Sequence, residues 1–161
     1  MSGQKRLFLT TLSDAARGMA EEIDPNIATC YHFNGLMYRY SDDDPQYNDE
    51  VTFYQDLVRL AGILREEGSP VVVLGAWHDF VPQTVFDIAQ FLFRNTDVGM
   101  VITFTRQQRQ MDFMDFQIYG ITKHGLSLIK SSREHRTDLW KVLLANSRRL
   151  YDKVTKEENA A

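Results

Sequence analysis

The sequence predicts an α/β layered fold: a single domain over residues 1–154, with a mixed, mainly parallel central sheet and a C-terminal helix, then a polar tail at 155–161. Three observations carry this reading. Phe53, Leu57, Leu60, Ala61 and Leu64 mark one face of a helix, which Gly68 ends and Pro70 keeps from resuming. Val71-Val72-Val73-Leu74 follows at once and is apolar without alternation, as a strand covered on both faces would be. The connection at 105–112 is short and polar, too short for a helical crossover, so the strands after it pair antiparallel.

The other elements fall into place around these. Leu7 to Leu12 reads as a short buried strand. Ser13 or Asp14 caps a helix whose apolar positions are Ala15, Met19 and Ile23, and Asp24-Pro25 stops it. Ile27 to Phe33 is apolar enough for a second strand, and Ser41 to Glu50 is an acidic loop. Pro82 suits the first position of a helix with Val85, Ile88, Ala89 and Leu92 as its buried stripe. Strands follow at 99–104, 113–119 and 126–130, with Arg106 to Gln110 as a polar loop. Ser131 and Glu134 have the spacing of a capping box, which predicts that the last helix begins there.

At 43% hydrophobic and 25% charged, the 161 residues lie near the average of soluble globular proteins. That excludes a disordered chain, a collagen-like fibre and a disulfide scaffold. The net charge of −4 is unevenly spread. Residues 1–104 hold 7 Lys and Arg against 15 Asp and Glu, and residues 105–161 hold 11 against 7. A basic C-terminal third can meet an acidic partner or nucleic acid, and a solvated helix face explains the same charges. Cys30 is the lone cysteine, which fits a reducing compartment. No stretch has the length and apolarity of a membrane span. These features predict a cytoplasmic protein.

Gly120-Ile121-Thr122-Lys123-His124-Gly125-Leu126-Ser127 has the glycines and the serine of a phosphate loop, but Leu126 stands where a lysine must reach the terminal phosphates. It reads instead as a glycine-bearing hairpin turn. His32, His124 and His135 lack ligand spacing. The acidic loop around Asp42-Asp43-Asp44 lacks the glycine and the final glutamate of a calcium loop. No metal or cofactor is expected.

Two sets of candidates remain. Ligands of open α/β sheets gather beyond the carboxyl ends of parallel strands. There the sequence offers Thr11, Ser13 and Asp14 after the first strand, Trp77, His78 and Asp79 after 71–75, and Arg106 after 99–104. These suit an anion, or an acid/base site on His78. Caps and turns are the plainer use of the same residues. The second set, Arg133, Arg136, Lys141, Arg148 and Arg149, lies along the predicted basic helix and suits an anionic partner. Leu139, Val142, Leu143 and Leu150 mark the helix as a lid on the sheet.

From Val51 the order is helix, Gly68-Ser69-Pro70, buried strand, helix, the strand Val98 to Phe104 with Thr105-Arg106, then Met111-Asp112-Phe113 to Leu128. Over roughly residues 51–130 this resembles the C-terminal half of a RecA/KaiC-type ATPase core. The family's phosphate loop is absent, and Ile27 to Phe33 does not end in the acidic residue of that family. The resemblance therefore implies a RecA-like fold without ATPase chemistry, as in degenerate, partner-binding members. The segment from Tyr119 to Leu126 is also similar to the wing of winged-helix regulators, but β-rich Val98 to Phe104 stands where a recognition helix belongs. The leading expectation is a non-catalytic regulatory or adaptor protein that binds a protein partner, such as an ATPase or DNA-processing complex. The alternatives are a small α/β enzyme using the pocket around His78 and a nucleic-acid-binding regulator using the basic helix. A homo-oligomer is left open.

Overall fold

A computed structural model describes residues 7–9, 28–29, 50–76 and 82–160. The elements are β1 (Phe8–Leu9), β2 (Ala28–Thr29), α1 (Glu50–Glu67), β3 (Val71–Ala76), α2 (Pro82–Asn95), β4 (Met100–Gln108), β5 (Phe113–Thr122), β6 (Gly125–His135), a 3-10 turn (Arg136–Asp138) and α3 (Leu139–Ala160). The end of the first expected strand at 10–12, the expected helix at Ser13, most of the strand at 27–33 and the acidic loop up to residue 49 lie outside the described residues, and Glu50 opens α1.

α1 and its exit match the sequence pattern. All five stripe residues from Phe53 to Leu64 are buried. Gly68 takes a φ of 65°, and its amide donates to the Leu64 carbonyl at 2.9 Å, a left-handed cap open to glycine at little cost. The Pro70 carbonyl accepts from the amides of Gly99 and Met100, which sets β4 beside β3 at their start. At the end of α2, Asn95 Nδ2 donates to the Phe91 carbonyl, and the Thr96 amide and hydroxyl both donate to that of Leu92. Carbonyls that a helix end leaves without partners are thus satisfied. Arg65 Nη1 reaches the Asn95 carbonyl at 2.9 Å, placing a cation at the negative end of α2.

Among the described residues the strands form one sheet in the order β2-β1-β3-β4-β5-β6. It is mixed, as the sequence predicts, but the expectation of a mainly parallel sheet is corrected. The pairs β1–β2, β1–β3 and β3–β4 run parallel over two, two and four paired residues. The pairs β4–β5 and β5–β6 run antiparallel over eight and ten. Among the described residues, most of the pairing thus lies in the antiparallel ladders joined by tight turns.

The sheet carries a layer on each face. Val72, Leu74, Val101 and Ile121 pack with the buried stripes of α1 and α2. Val71, Val73, Ile102, Phe104, Phe116 and Ile118 pack with Leu139, Leu143, Leu144 and Tyr151 of α3. Phe104 sits edge-on to Trp140 at 5.7 Å, which fixes the start of α3 over β4. The Ser147 hydroxyl, buried on α3, donates to the Leu143 carbonyl at 2.7 Å.

Three boundaries differ from the sequence reading. β4 runs to Gln108, because Arg106, Gln107 and Gln108 pair with Phe116, Asp115 and Met114. β6 runs to His135, so Ser131 and Glu134 pair with Gln117 and Met114 instead of capping a helix. Ten ladder pairs outweigh a local cap. His135 takes the capping place, its Nδ1 accepting from the Thr137 amide at 3.3 Å. α3 continues to Ala160, beyond Thr155, where the sequence sets a polar tail. The turn after β5 is the expected glycine-bearing hairpin: Thr122 pairs with Gly125, which takes the positive φ of 126°.

If α3 is held by its apolar face, Leu143→Ala should cost about 2–5 kcal/mol in chemical denaturation. Lys141→Ala, exposed on the same helix, should cost no more than about 0.5 kcal/mol.

Candidate functional site

β1, β3 and β4 lie side by side and run parallel, so their carboxyl ends share one edge of the sheet. From β1 the chain winds first to β2 and then back past β1 to β3, which places a reversal of winding between β1 and β3. Crevices at such reversals hold ligands in open α/β sheets. The side chains that the sequence assigns there, Thr11, Ser13, Asp14, Trp77, His78 and Asp79, lie outside the described residues. Arg106 does not stand in a loop at a strand end. It lies within β4, two positions past the pairing of Ala76 with Phe104, and it is exposed. Thr105, on the opposite face, donates to Gln117 Oε1 at 2.9 Å, and Tyr119 donates to the same oxygen at 3.2 Å.

The basic candidates are spread over three elements instead of one helix. Arg133 belongs to β6 and Arg136 to the 3-10 turn, while Lys141, Arg148 and Arg149 belong to α3. Arg148 pairs with Asp152 at 3.3 Å and lies over the Tyr151 ring, and Arg149 donates to Asn146.

The structure builds a polar cluster that the sequence does not announce, at the far end of the β4–β6 meander. Asp115 and Arg133 are directly opposed across β5 and β6, with Arg133 Nε 3.1 Å from the carboxylate. Arg109, from the β4–β5 turn, takes the other carboxylate oxygen. Asp115 is thereby held below its ordinary pKa, first by the Arg109 hydrogen bond and then by that of Arg133. One step along, Phe113 opposes His135, their rings edge-on at 5.5 Å. Asp112 forms an ion pair with Arg136, its carboxylate 3.3 Å from Nε, and lies 3.7 Å from His135 Nε2. The turn is tied by the Phe113 amide to Gln110, the Arg109 amide to Phe113, and Gln108 Nε2 to the Met111 carbonyl. Its tip is Met111, at a φ of 49° with its side chain 86% exposed.

Thr137, His135 and Asp112 stand in the order of a hydroxyl–imidazole–carboxylate relay, with the hydroxyl 2.8 Å from His135 Nδ1. The same Nδ1 accepts the Thr137 amide, all three groups are open to water, and the hydroxyl lies two residues away along the chain. This is the geometry of a helix cap, not of an activated nucleophile. Among the described residues, no three His, Cys, Asp or Glu side chains group as metal ligands. No described helix is long and apolar enough to cross a membrane. An open groove between α1 and α2, with Tyr54 edge-on to Phe91, mixes apolar walls with Asp87 and Arg94.

Apolar exposure is concentrated on the same meander. Leu126 and Leu128 of β6 are 45% and 55% exposed, and Phe113 and Met111 lie exposed at its other end. In sequence, the alternation Phe113, Asp115, Gln117, Tyr119 shows one strand face. Only the register with β4 and β6 shows which cations share it. No protein-family model matches the chain, and no curated protein matches it either.

Titration of the Asp115 carboxyl by NMR should give a midpoint below the ordinary aspartate value. Arg109→Gln should raise it, and Arg109→Gln/Arg133→Gln should raise it further. A depressed carboxylate contributes stability above its unfolded pKa and loses it as the pH falls through the folded value. The stability tied to this cluster should therefore disappear only on the acid side of the ordinary aspartate range. A midpoint that neither substitution moves would refute the shared-carboxylate arrangement.

Proposed function

We propose that this chain is a non-catalytic regulatory or adaptor protein that binds a protein partner through the β4–β6 meander. One observation carries the reading. Of the six large apolar side chains exposed among the described residues, four lie on β5, β6 or the turn before them: Met111, Phe113, Leu126 and Leu128. Apolar side chains exposed along one hairpin, with charge beside them, suit a protein contact. The polar groups near them, Asp112, Asp115, Arg109, Arg133 and Arg136, are engaged with one another and exposed, which suits a rim more than a reaction centre. The resemblance of residues 51–130 to a RecA/KaiC-type core supplies the finer part of the proposal. It favours a degenerate, RecA-like fold and points to an ATPase or DNA-processing complex as the partner class.

The test compares the affinity-tagged full chain with Leu126→Glu/Leu128→Glu. A protein retained by the first and lost by the second, at unchanged melting temperature, is the expected result. Equal retention by both would sink the reading. Purified chain should also show no magnesium-dependent ATP turnover above background, since phosphoryl transfer needs positioned cations around the phosphates. Sustained turnover would overturn the non-catalytic part.

A further inference from the structure

We infer that the outer edge of β6 is a strand-addition site for an extended acidic peptide. The inference rests on the protein-binding reading above and names the mode and chemistry of the contact. β6 is the last strand in the sheet order, so among the described residues its outer edge has no strand beside it. At 11 residues it is long for such a position, and it holds no proline. An edge of this kind presents main-chain donors and acceptors ready to pair with an added strand.

The side chains along the edge state what that strand must carry. Between Leu128, opposite Tyr119, and Lys130, opposite Ile118, Ile129 is an extra residue. This bulge turns Ile129 toward Gly120, where its Cδ1 lies 3.4 Å from the point a glycine Cβ would occupy. Leu126 and Leu128 therefore share one face with Ser131 and Arg133, and Lys130 takes the other. Arg133 is 63% exposed, and only its Nε is used on Asp115, which leaves its terminal nitrogens for a second carboxylate. Lys130 has no ion pair among the described residues. A matching strand has two apolar residues at alternate positions beside Leu126 and Leu128, then carboxylates beside Lys130 and Arg133.

Charge decides between occupants. β6 carries no carboxylate on the face of Arg133, so a second copy pairing edge to edge leaves Arg133 without a partner on that face. A single-stranded nucleic acid would use Arg133, but it has no use for Leu126 and Leu128 or for an open main-chain edge. An acidic peptide uses all of them.

The probe is a labelled peptide of about ten residues, with two valines at alternate positions followed by consecutive glutamates, which place carboxylates on both faces. A control replaces its central residues by proline, and an oligothymidylate serves as the nucleic-acid arm. The full-length chain is titrated at low salt, with hydrogen exchange followed in parallel. We expect saturable binding at peptide concentrations below about 1 mM. The proline control should lose it, and exchange should slow along 126–133. Lys130→Gln/Arg133→Gln should weaken binding about tenfold at unchanged melting temperature, as the loss of two surface charge contacts would. Leu128→Glu should abolish it.

No saturable binding, equal binding of the proline control, tighter binding of the oligothymidylate, or a concentration-dependent dimer protected along β6 would each overturn the inference. If any of these occurs while partner retention still depends on Leu126 and Leu128, strand addition fails and the protein-binding reading stands. If retention is indifferent to both leucines, that reading fails with it.

Discussion

The parallel pairing of β3 with β4 buries both faces of both strands, and the layers on either side depend on it. Val71 to Leu74 and Val101 to Phe104 are each at most 3% exposed. Odd and even positions of one strand serve different helices: Val72 and Leu74 meet α1 and α2, while Val71 and Val73 meet the layer that α3 covers. Each such side chain contributes about 1.5–3 kcal/mol of burial. No other described element touches both layers so fully. The carbonyl of Pro70, accepting two amides at the start of β4, sets the register from which every later strand is counted.

What could be read from the sequence follows from this. Helix stripes and non-alternating strands are local patterns with one physical meaning, so α1, β3, α2 and the buried part of β4 are legible residue by residue. Tertiary pairing is not local. Gln107 and Gln108 look like loop because the stretch from Thr105 to Gln110 holds no apolar residue, yet Asp115 and Met114 hold them in a ladder. Ser131 and Glu134 make a sound capping box on paper, and β5 claims both before a helix can begin. The same limit hides the Asp115 cluster, whose members come from three segments and meet only once two hairpins are in register. The strand-end residues around His78 were legible as candidates. Their side chains lie outside the described residues, so only the alignment of β1, β3 and β4 beneath them is established.

The molecule thus has a dry half and a wet half. Among the described residues, β3 and the first part of β4 are covered on both faces by helices. The meander reaches beyond them and carries its polar groups in mutual pairs: Asp115 between Arg109 and Arg133, Asp112 between His135 and Arg136. These exposed pairs add little to stability singly. Their effect is geometric, holding a tight turn with Met111 at a φ that non-glycine residues seldom adopt. A side chain presented so openly on a backbone so constrained is an uncommon combination, and it sits at the end of the sheet that the helices leave bare.

The bulge at Ile129 has a consequence for how this strand tolerates change of length. Losing one residue from a strand normally exchanges its two faces, because the side-chain period is two. Here Tyr119 already faces Leu128 and Ile118 already faces Lys130, so excision of residue 129 would leave every other pair as it is and vacate only the hollow over Gly120. A deletion at any position from 130 to 132 would instead set Glu134 opposite Asp115 and turn Arg133 to the other face, or force the ladder to absorb the bulge in its stead. Descendants of this sequence have one point on β6 at which the chain can shorten without rewriting what the edge displays.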